Sequence, residues 1–295
     1  MNKKSGIISY RSCSFLVAAV FYLQFIISFS AKRLWSVLDA GTPHDFVYII
    51  IAQFFAVGLP CLMTALVEKA DFKREFNFKK IKSKDILYSI LMGVSLQPVA
   101  MVANVPLQSL TIKLKGELSP AVAASPQNLW QVVAMMLVVC LVPAFFEELL
   151  VRGMVLNSVK KYGMSKAIVI TSVIFALLHN DLSSFVGLVV LGLACGFGVL
   201  MTGSVFSGML THFAFNATGV MMDYFMTAYP QINSVGFMLL LASMGAVVVA
   251  FAVLGTYNQK EARFMGDNFV QRNWASFFNI PVLLLVAGYV FGGLL

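Results

Sequence analysis

Charged residues are scarce in this sequence. Asp, Glu, Lys and Arg make up 12% of its 295 residues, whereas hydrophobic residues make up 59%. Soluble domains carry roughly 25% charged residues, so this composition argues against a water-soluble globular protein. Cysteine is scarce too, since the four cysteines stand singly at or within apolar stretches and form no CxxC pair. The sequence therefore predicts neither a disulfide framework nor a cysteine-based zinc site.

Apolar runs dominate the sequence instead, and most are long enough to cross a bilayer, which takes about 20 residues. We predict an all-α fold, a polytopic transmembrane helical bundle with about 8–9 membrane segments. The third segment contains Pro98 and Pro106, which we expect to interrupt it. The candidate segments are 13–30, 46–67, 86–110, 129–158, 167–179, 184–201, 204–222, 234–255 and 277–295.

Basic residues are concentrated on one side of this predicted bundle. The hydrophilic loop 68–85 alone holds seven of them, and residues 111–128 form a polar loop on the opposite side. The positive-inside rule then places the N-terminus in the cytoplasm of a multi-pass cell-membrane protein. The net charge of +8 is explained by these loops, so it does not indicate a nucleic-acid partner. Of the 21 lysines and arginines, those that fall on the outer side are Lys32, Arg33, Lys113 and Lys115.

Two adjacent carboxylates, Glu147 and Glu148, lie inside the fourth apolar segment. An ionised side chain near the middle of a bilayer costs at least about 3 kcal/mol, so each needs a partner or a function. Arg152 stands four residues after Glu148, which predicts an i,i+4 ion pair. Glu147 points about 100° away and has no such partner on its own helix. We therefore interpret Glu147 as the candidate reactive group and the Glu148–Arg152 pair as supporting structure.

Two of the three histidines also lie in apolar segments. His179 ends the short fifth segment, and His212 shares one helix face with Asn216 at i,i+4. Counted from Lys160 and Lys166, Glu147 and His179 both lie about 20 Å into the membrane, and His212 lies about 12 Å beyond Ser204. These depths permit contact, and we predict that the polar side chains converge in the bundle interior.

Three motifs built from these residues resemble a known family in residue type, order and spacing. It is the family of CAAX prenyl endopeptidase type II and bacteriocin-processing intramembrane proteases, the CPBP or Abi family. The resemblance covers about residues 129–220. The motifs are Glu147-Glu148-x-x-x-Arg152, Phe175-x-x-x-His179 and His212-x-x-x-Asn216.

The resemblance implies an intramembrane endopeptidase that hydrolyses a peptide bond at the membrane. Glu147 is then the general base, and His179 holds and polarises the attacking water. His212 and Asn216 donate hydrogen bonds to the oxyanion of the tetrahedral intermediate. We accordingly divide the chain into N-terminal transmembrane helices with the basic loop, a catalytic core and C-terminal transmembrane helices, with bounds 1–128, 129–222 and 223–295.

The resemblance leaves the cofactor open, because members of this family are described both as metalloproteases and as metal-independent glutamate proteases. A His₂Glu zinc site with bound water would use Glu147, His179 and His212. We expect the metal-free mechanism and keep a divalent metal such as zinc as the alternative. The expected partners are membrane lipid and a peptide or protein substrate, prenylated substrates included.

Two other functions stay open at this point. Buried carboxylates and histidines also suit a transporter or proton-coupled carrier, although the sequence contains no evident inverted repeat. A non-catalytic immunity or scaffold protein could retain the same fold and motifs. The signatures of other intramembrane protease classes are missing, since the sequence contains neither HExxH nor GxGD.

Overall fold

A computed structural model of the chain describes residues 8–34, 43–118, 125–231, 236–237, 241–242 and 244–245. These residues form helices and their connections, with no strand among them, which confirms the all-α prediction. The α-helices are α1 (Tyr10–Leu34), α2 (Pro43–Gln53), α3 (Leu59–Val67), α4 (Phe72–Glu75), α5 (Ser83–Lys115), α6 (Leu129–Met135), α7 (Val142–Glu148), α8 (Leu156–Val159), α9 (Met164–Leu178), α10 (Phe185–Thr202) and α11 (Val205–Ala228).

Seven of the predicted segments coincide with helical stretches. In the described part of the chain, five of these are long and apolar enough to cross a membrane, and the helix α9 is a shorter apolar one. The protein is a multi-pass membrane protein. The segment 277–295 and most of 234–255 lie outside the described residues, so the total of 8–9 spans stays a prediction. The five stretches are Tyr10–Ser28, Phe46–Val67, Ser83–Lys115, Leu129–Tyr162 and Phe185–Thr202.

The helix α5 is longer and more continuous than predicted. It runs unbroken through Pro98 and Pro106, so the expected interruption was wrong. Proline is tolerated in membrane helices because neighbouring helices compensate for the lost hydrogen bond. The helix also continues into the region predicted as a loop, and it ends where Gly116 adopts a left-handed φ of 83°.

Proline has a different effect in two other membrane stretches. A π-helical segment, Phe54–Gly58, separates α2 from α3, and a second one, Met136–Leu141, separates α6 from α7. Each segment ends two residues before a proline, Pro60 or Pro143. Because proline cannot donate to the carbonyl of the preceding turn, the backbone pairing shifts there and the helix widens locally. A third π-helical segment, Leu149–Val155, follows α7 directly and contains Arg152.

Small residues let the helices of the bundle approach closely. A Cβ atom at Gly93 in α5 would collide with the backbone carbonyl of Thr211 in α11. A Cβ atom at Gly192 in α10 would lie 2.8 Å from Ser172 in α9. Close backbone approach through small residues is the usual way in which membrane helices pack. Here it draws α9, α10 and α11 around the helix that carries the paired carboxylates.

Hydrogen bonds connect the basic loop, residues 68–85, to α8 and to the start of α11. The side-chain amide of Asn157 in α8 donates a hydrogen bond to the backbone carbonyl of Glu75. Asn77 donates its own side-chain amide to Oδ1 of Asn157 over 3.1 Å, and its carbonyl accepts from the N–H of Val205 over 3.2 Å. The loop therefore fixes the end of α8 relative to the start of α11.

Glu75 is completely buried in this loop. Its Oε2 accepts a hydrogen bond from the backbone N–H of Ile8 over 3.0 Å, while its Oε1 has no hydrogen-bond partner among the residues that the structure describes. Burial raises the pKa of Glu75 to about 7, against the smaller lowering effects of the Ile8 hydrogen bond and the charge of Lys160. The contact also places the loop and the first described residues on the same side of the bundle.

This buried carboxyl group predicts a pH-dependent stability. A pKa raised in the folded state means that the folded state binds the proton more tightly than the unfolded state does. The free energy of unfolding therefore falls as the pH rises from about 4.5, the ordinary value, to about 7. We expect Glu75→Gln to flatten this part of the stability profile, measured by thermal unfolding in detergent at several pH values. Glu117→Gln, at an exposed position, is the control, and an equally steep profile in Glu75→Gln would contradict the assignment.

Candidate active site

Glu147 and His179 lie side by side in the bundle interior. Oε2 of Glu147, at the end of α7, is 3.6 Å from Nε2 of His179, which caps α9. The side chain of Glu147 is 10% exposed and that of His179 is 30% exposed. The carboxylate is therefore sheltered, while the imidazole next to it reaches the surface of the described helices.

The ring of His179 is held by its own helix. Nδ1 lies 2.8 Å from the backbone carbonyl of Phe175, and since a carbonyl can only accept, Nδ1 carries the hydrogen. Nε2 is therefore the nitrogen that faces Glu147. Asn180, which follows, adopts a left-handed φ of 48°, so the helix ends immediately after the histidine.

Glu148 lies in a separate cluster with Arg152 and His212. Its Oε1 accepts hydrogen bonds from Nη1 of Arg152 over 2.7 Å and from Nδ1 of His212 over 3.2 Å. Nη2 of Arg152 donates to the carbonyl of Gly192 over 2.7 Å. Glu148 and Arg152 are fully buried and His212 is 2% exposed. The i,i+4 pairing expected from the sequence is present, and the contact with His212 adds a third helix to it.

Close packing explains how the Glu148 carboxylate fits. A Cβ atom at Gly208 in α11 would come within 2.7 Å of Oε2 of Glu148, so a larger residue there would displace the carboxylate. The guanidinium of Arg152 also lies over the ring of Phe175, 5.0 Å from its centroid. Charge pairing, a backbone carbonyl and an aromatic face together stabilise a charged group in an apolar interior.

The aromatic ring of Phe175 connects the two clusters. Its centroid is 4.7 Å from the ring of His179 and 5.4 Å from the ring of His212, with both pairs in edge-to-face geometry. Both histidine rings thus contact the same phenyl ring. Glu147, Glu148, His179 and His212 are brought together by α7, α9 and α11.

Asn216 is not part of this contact network. It lies one turn after His212 on α11, is partly exposed, and makes no hydrogen bond with another described residue. The sequence placed it on the same face as His212, which the helix preserves. Among the described residues its amide therefore has no side-chain partner.

Two glutamines that the sequence analysis did not consider lie next to Glu147. Gln53 donates a hydrogen bond from Nε2 to Oε1 of Glu147 over 2.8 Å. Gln24 lines a small cavity together with Glu147 and His179. In the sequence, each of these glutamines is visible only as a polar amide inside an apolar run. Such an amide marks a contact between helices as often as it marks a functional site.

No group of three or more His, Cys, Asp or Glu side chains within the described ranges is arranged to hold a metal ion. Nδ1 of His212 is bound to Glu148, which leaves Nε2 as its second ring nitrogen. We derive no reaction step through a metal, and the choice between the metal-free mechanism and a His₂Glu zinc site stays a prediction.

Comparison with known protein families gives one match. Residues 129–218 match the family model described as type II CAAX prenyl endopeptidase Rce1-like. The chain carries an Rce1-like domain. This confirms the resemblance inferred from the three motifs, which lie inside the matched segment. Neither the curated proteins nor the solved structures gave a match.

The Rce1-like domain covers about a third of the chain. The matched family is a peptidase family. The helices α1 to α5 precede the domain, although Gln53 and Gln24 from them lie beside Glu147. The three-part division of the chain stays a prediction.

The buried cluster predicts a large cost for removing its cation. Arg152→Met leaves the carboxylate of Glu148 without its main partner, which should lower the free energy of unfolding by about 3–5 kcal/mol. The measurement is chemical or thermal unfolding of the purified protein in detergent. The double variant Glu148→Gln/Arg152→Met should lose less free energy of unfolding than the single variant, because no uncompensated charge is left buried. Arg74→Met, at an exposed position, is the control, and equal losses in both arginine variants would contradict this account.

Proposed function

We propose that the protein is an intramembrane endopeptidase in which Glu147 activates the attacking water. The single observation that supports this most strongly is the contact between Glu147 and His179, two ionisable side chains from separate helices that line one cavity in an apolar bundle. Ionisable side chains inside a membrane mark functional sites by default. The Rce1-like domain supplies the reaction class, since its family consists of peptidases.

The proposed reaction is the hydrolysis of a peptide bond by a general base. Oε2 of Glu147 takes a proton from water while the water oxygen forms a bond to the carbonyl carbon of the substrate. The resulting tetrahedral intermediate collapses, the C–N bond breaks, and the proton passes to the leaving nitrogen to give an amine and a carboxyl group. His179, in contact with Glu147, holds and polarises the water.

His212 and Asn216 are proposed to bind the oxyanion of this intermediate. Because Nδ1 of His212 faces the carboxylate of Glu148, it carries the hydrogen, and Nε2 is left for the substrate. Nε2 can donate to an oxyanion only when it carries a hydrogen too. Glu148 and Arg152 thus orient His212 instead of reacting themselves. The amide of Asn216 supplies a second donor.

The substrate is proposed to be a peptide or protein presented at the membrane, with prenylated peptides as one class to be tested. The basic loop and the N-terminus are proposed to lie in the cytoplasm, because lysine and arginine concentrate on that side. A substrate with its scissile bond near a lipid anchor would meet the site from within the bilayer.

The test is cleavage by the purified protein in liposomes with prenylated and unprenylated peptides. Glu147→Ala and His179→Ala should each lower kcat by about 10²- to 10⁴-fold, because each removes a group that acts on the water. Glu117→Ala and His44→Ala are matched controls that should retain the activity of the parent. Equal cleavage by all four variants would refute the assigned roles. Movement of substrate across the membrane without cleavage would favour the transporter alternative.

The metal-free mechanism makes a separate prediction. Metal analysis of the active preparation should find less than one equivalent of zinc, and dialysis against a chelator should leave the cleavage rate unchanged. A stoichiometric zinc that is lost together with activity, and restored with it, would favour the metalloprotease alternative.

A further inference from the structure

Two glutamines that the mechanism above does not use lie beside its general base. Gln24 is in α1 and Gln53 is the last residue of α2, so both come from helices that precede the Rce1-like domain. An amide side chain in an apolar membrane helix is costly unless it finds a hydrogen-bond partner. Gln53 is hydrogen-bonded to Glu147, and Gln24 lines a cavity together with Glu147.

The hydrogen bond from Gln53 distinguishes the two oxygens of the Glu147 carboxylate. Nε2 of Gln53 donates to Oε1 over 2.8 Å, while Oε2 is the oxygen next to His179. An amide N–H can only donate, so this contact stabilises the ionised carboxylate, which is the form that can accept a proton from water. It also fixes the carboxylate plane and leaves Oε2 for the reaction.

Two residues that line the cavity beside Glu147 carry hydrogen-bond acceptors without a donor in the described part of the chain. Oε2 of Glu147 and Oε1 of Gln24 are both buried, and neither has a hydrogen-bond partner among the described residues. The cavity has a volume of about 10 Å³, which is close to the space needed for one water molecule. One water has two hydrogens, and these match the two acceptors. His179 also lines this cavity, with Nε2 3.6 Å from Oε2 of Glu147.

We propose that Gln53 and Gln24 are positioning residues for the hydrolysis, an inference that rests on the proposed function. Gln53 holds the carboxylate of Glu147 with Oε2 directed into the cavity. Gln24 accepts one hydrogen of the attacking water at Oε1, while Glu147 removes the other. The hydrogen held by Gln24 stays on the oxygen and becomes part of the new carboxyl group. The lone pair of the water then points away from both side chains and towards the substrate carbonyl.

The first test is kinetic and uses nearly isosteric substitutions that remove the amide. Gln53→Met and Gln24→Met should each lower kcat roughly 10- to 100-fold, because each loses one hydrogen bond to a charged or reacting group. KM should change by less than about twofold, since neither residue binds the peptide directly. Gln108→Met, on α5 and outside the cavity lining, is the matched control and should keep the parent kcat. Parent-like kcat in both amide variants overturns the proposal.

The second test needs no substrate and separates positioning from a merely structural role. Infrared difference spectra against Glu147→Gln identify the carboxylate band of Glu147, which should shift in Gln53→Met because Oε1 loses its donor. A water O–H band that shifts in H₂¹⁸O should be present in the parent protein and absent from Gln24→Met. A structural role alone would move neither band, so unchanged bands overturn the proposal. If Gln53→Met does not fold, Gln53→Asn, with a shorter reach, is measured with the same expected direction.

The outcomes of the two tests separate a failure of the positioning roles from a failure of the proposed peptidase function. If the parent protein cleaves peptides while the variants retain its kcat and both bands, the positioning roles fail and the peptidase stands. If the parent cleaves nothing, the proposed function fails. Shifted bands would then still support the arrangement of the two glutamines around Glu147.

Discussion

The arrangement of this protein depends on the cost of placing two adjacent carboxylates in an apolar helix. A buried charge is stable only when partners compensate for the lost water, and consecutive residues on a helix face different directions. Glu147 and Glu148 therefore cannot share one set of partners. Glu148 obtains a cation from its own helix and an imidazole from α11, whereas Glu147 obtains an amide from α2.

Because their partners differ, Glu148 is suited to a supporting role and Glu147 to a reactive one. Glu148 is tied by an ion pair in which Arg152 is itself bound to a carbonyl of α10, so its carboxylate has little freedom to move. Within the described ranges, Glu147 contacts the amide of Gln53 and the imidazole of His179, and its Oε2 has no hydrogen bond. A carboxylate that is sheltered but incompletely bound is suited to accept a proton from water.

Short-range features of the site could be predicted from the sequence, and long-range ones only in part. The Glu148–Arg152 pair follows from i,i+4 spacing, and the shared depth of Glu147 and His179 follows from counting residues along helices. The contact of Glu148 with His212 and the hydrogen bond from Gln53 could not be predicted in this way. They depend on how α2 and α11 rotate about their axes when they pack, which no local pattern determines.

The π-helical turn Leu149–Val155 has a consequence for the register of the helix that carries the carboxylates. Such a turn holds an additional residue, so everything after it is rotated by about 100° relative to a regular helix. The carboxylates precede the turn and Asn157 follows it, bound to the basic loop. Removing one residue within 149–155 would turn this segment into a regular helix and leave the carboxylates and Asn157 facing the same directions as here. An alignment with a relative whose helix is regular here would need a one-residue gap inside the Rce1-like domain.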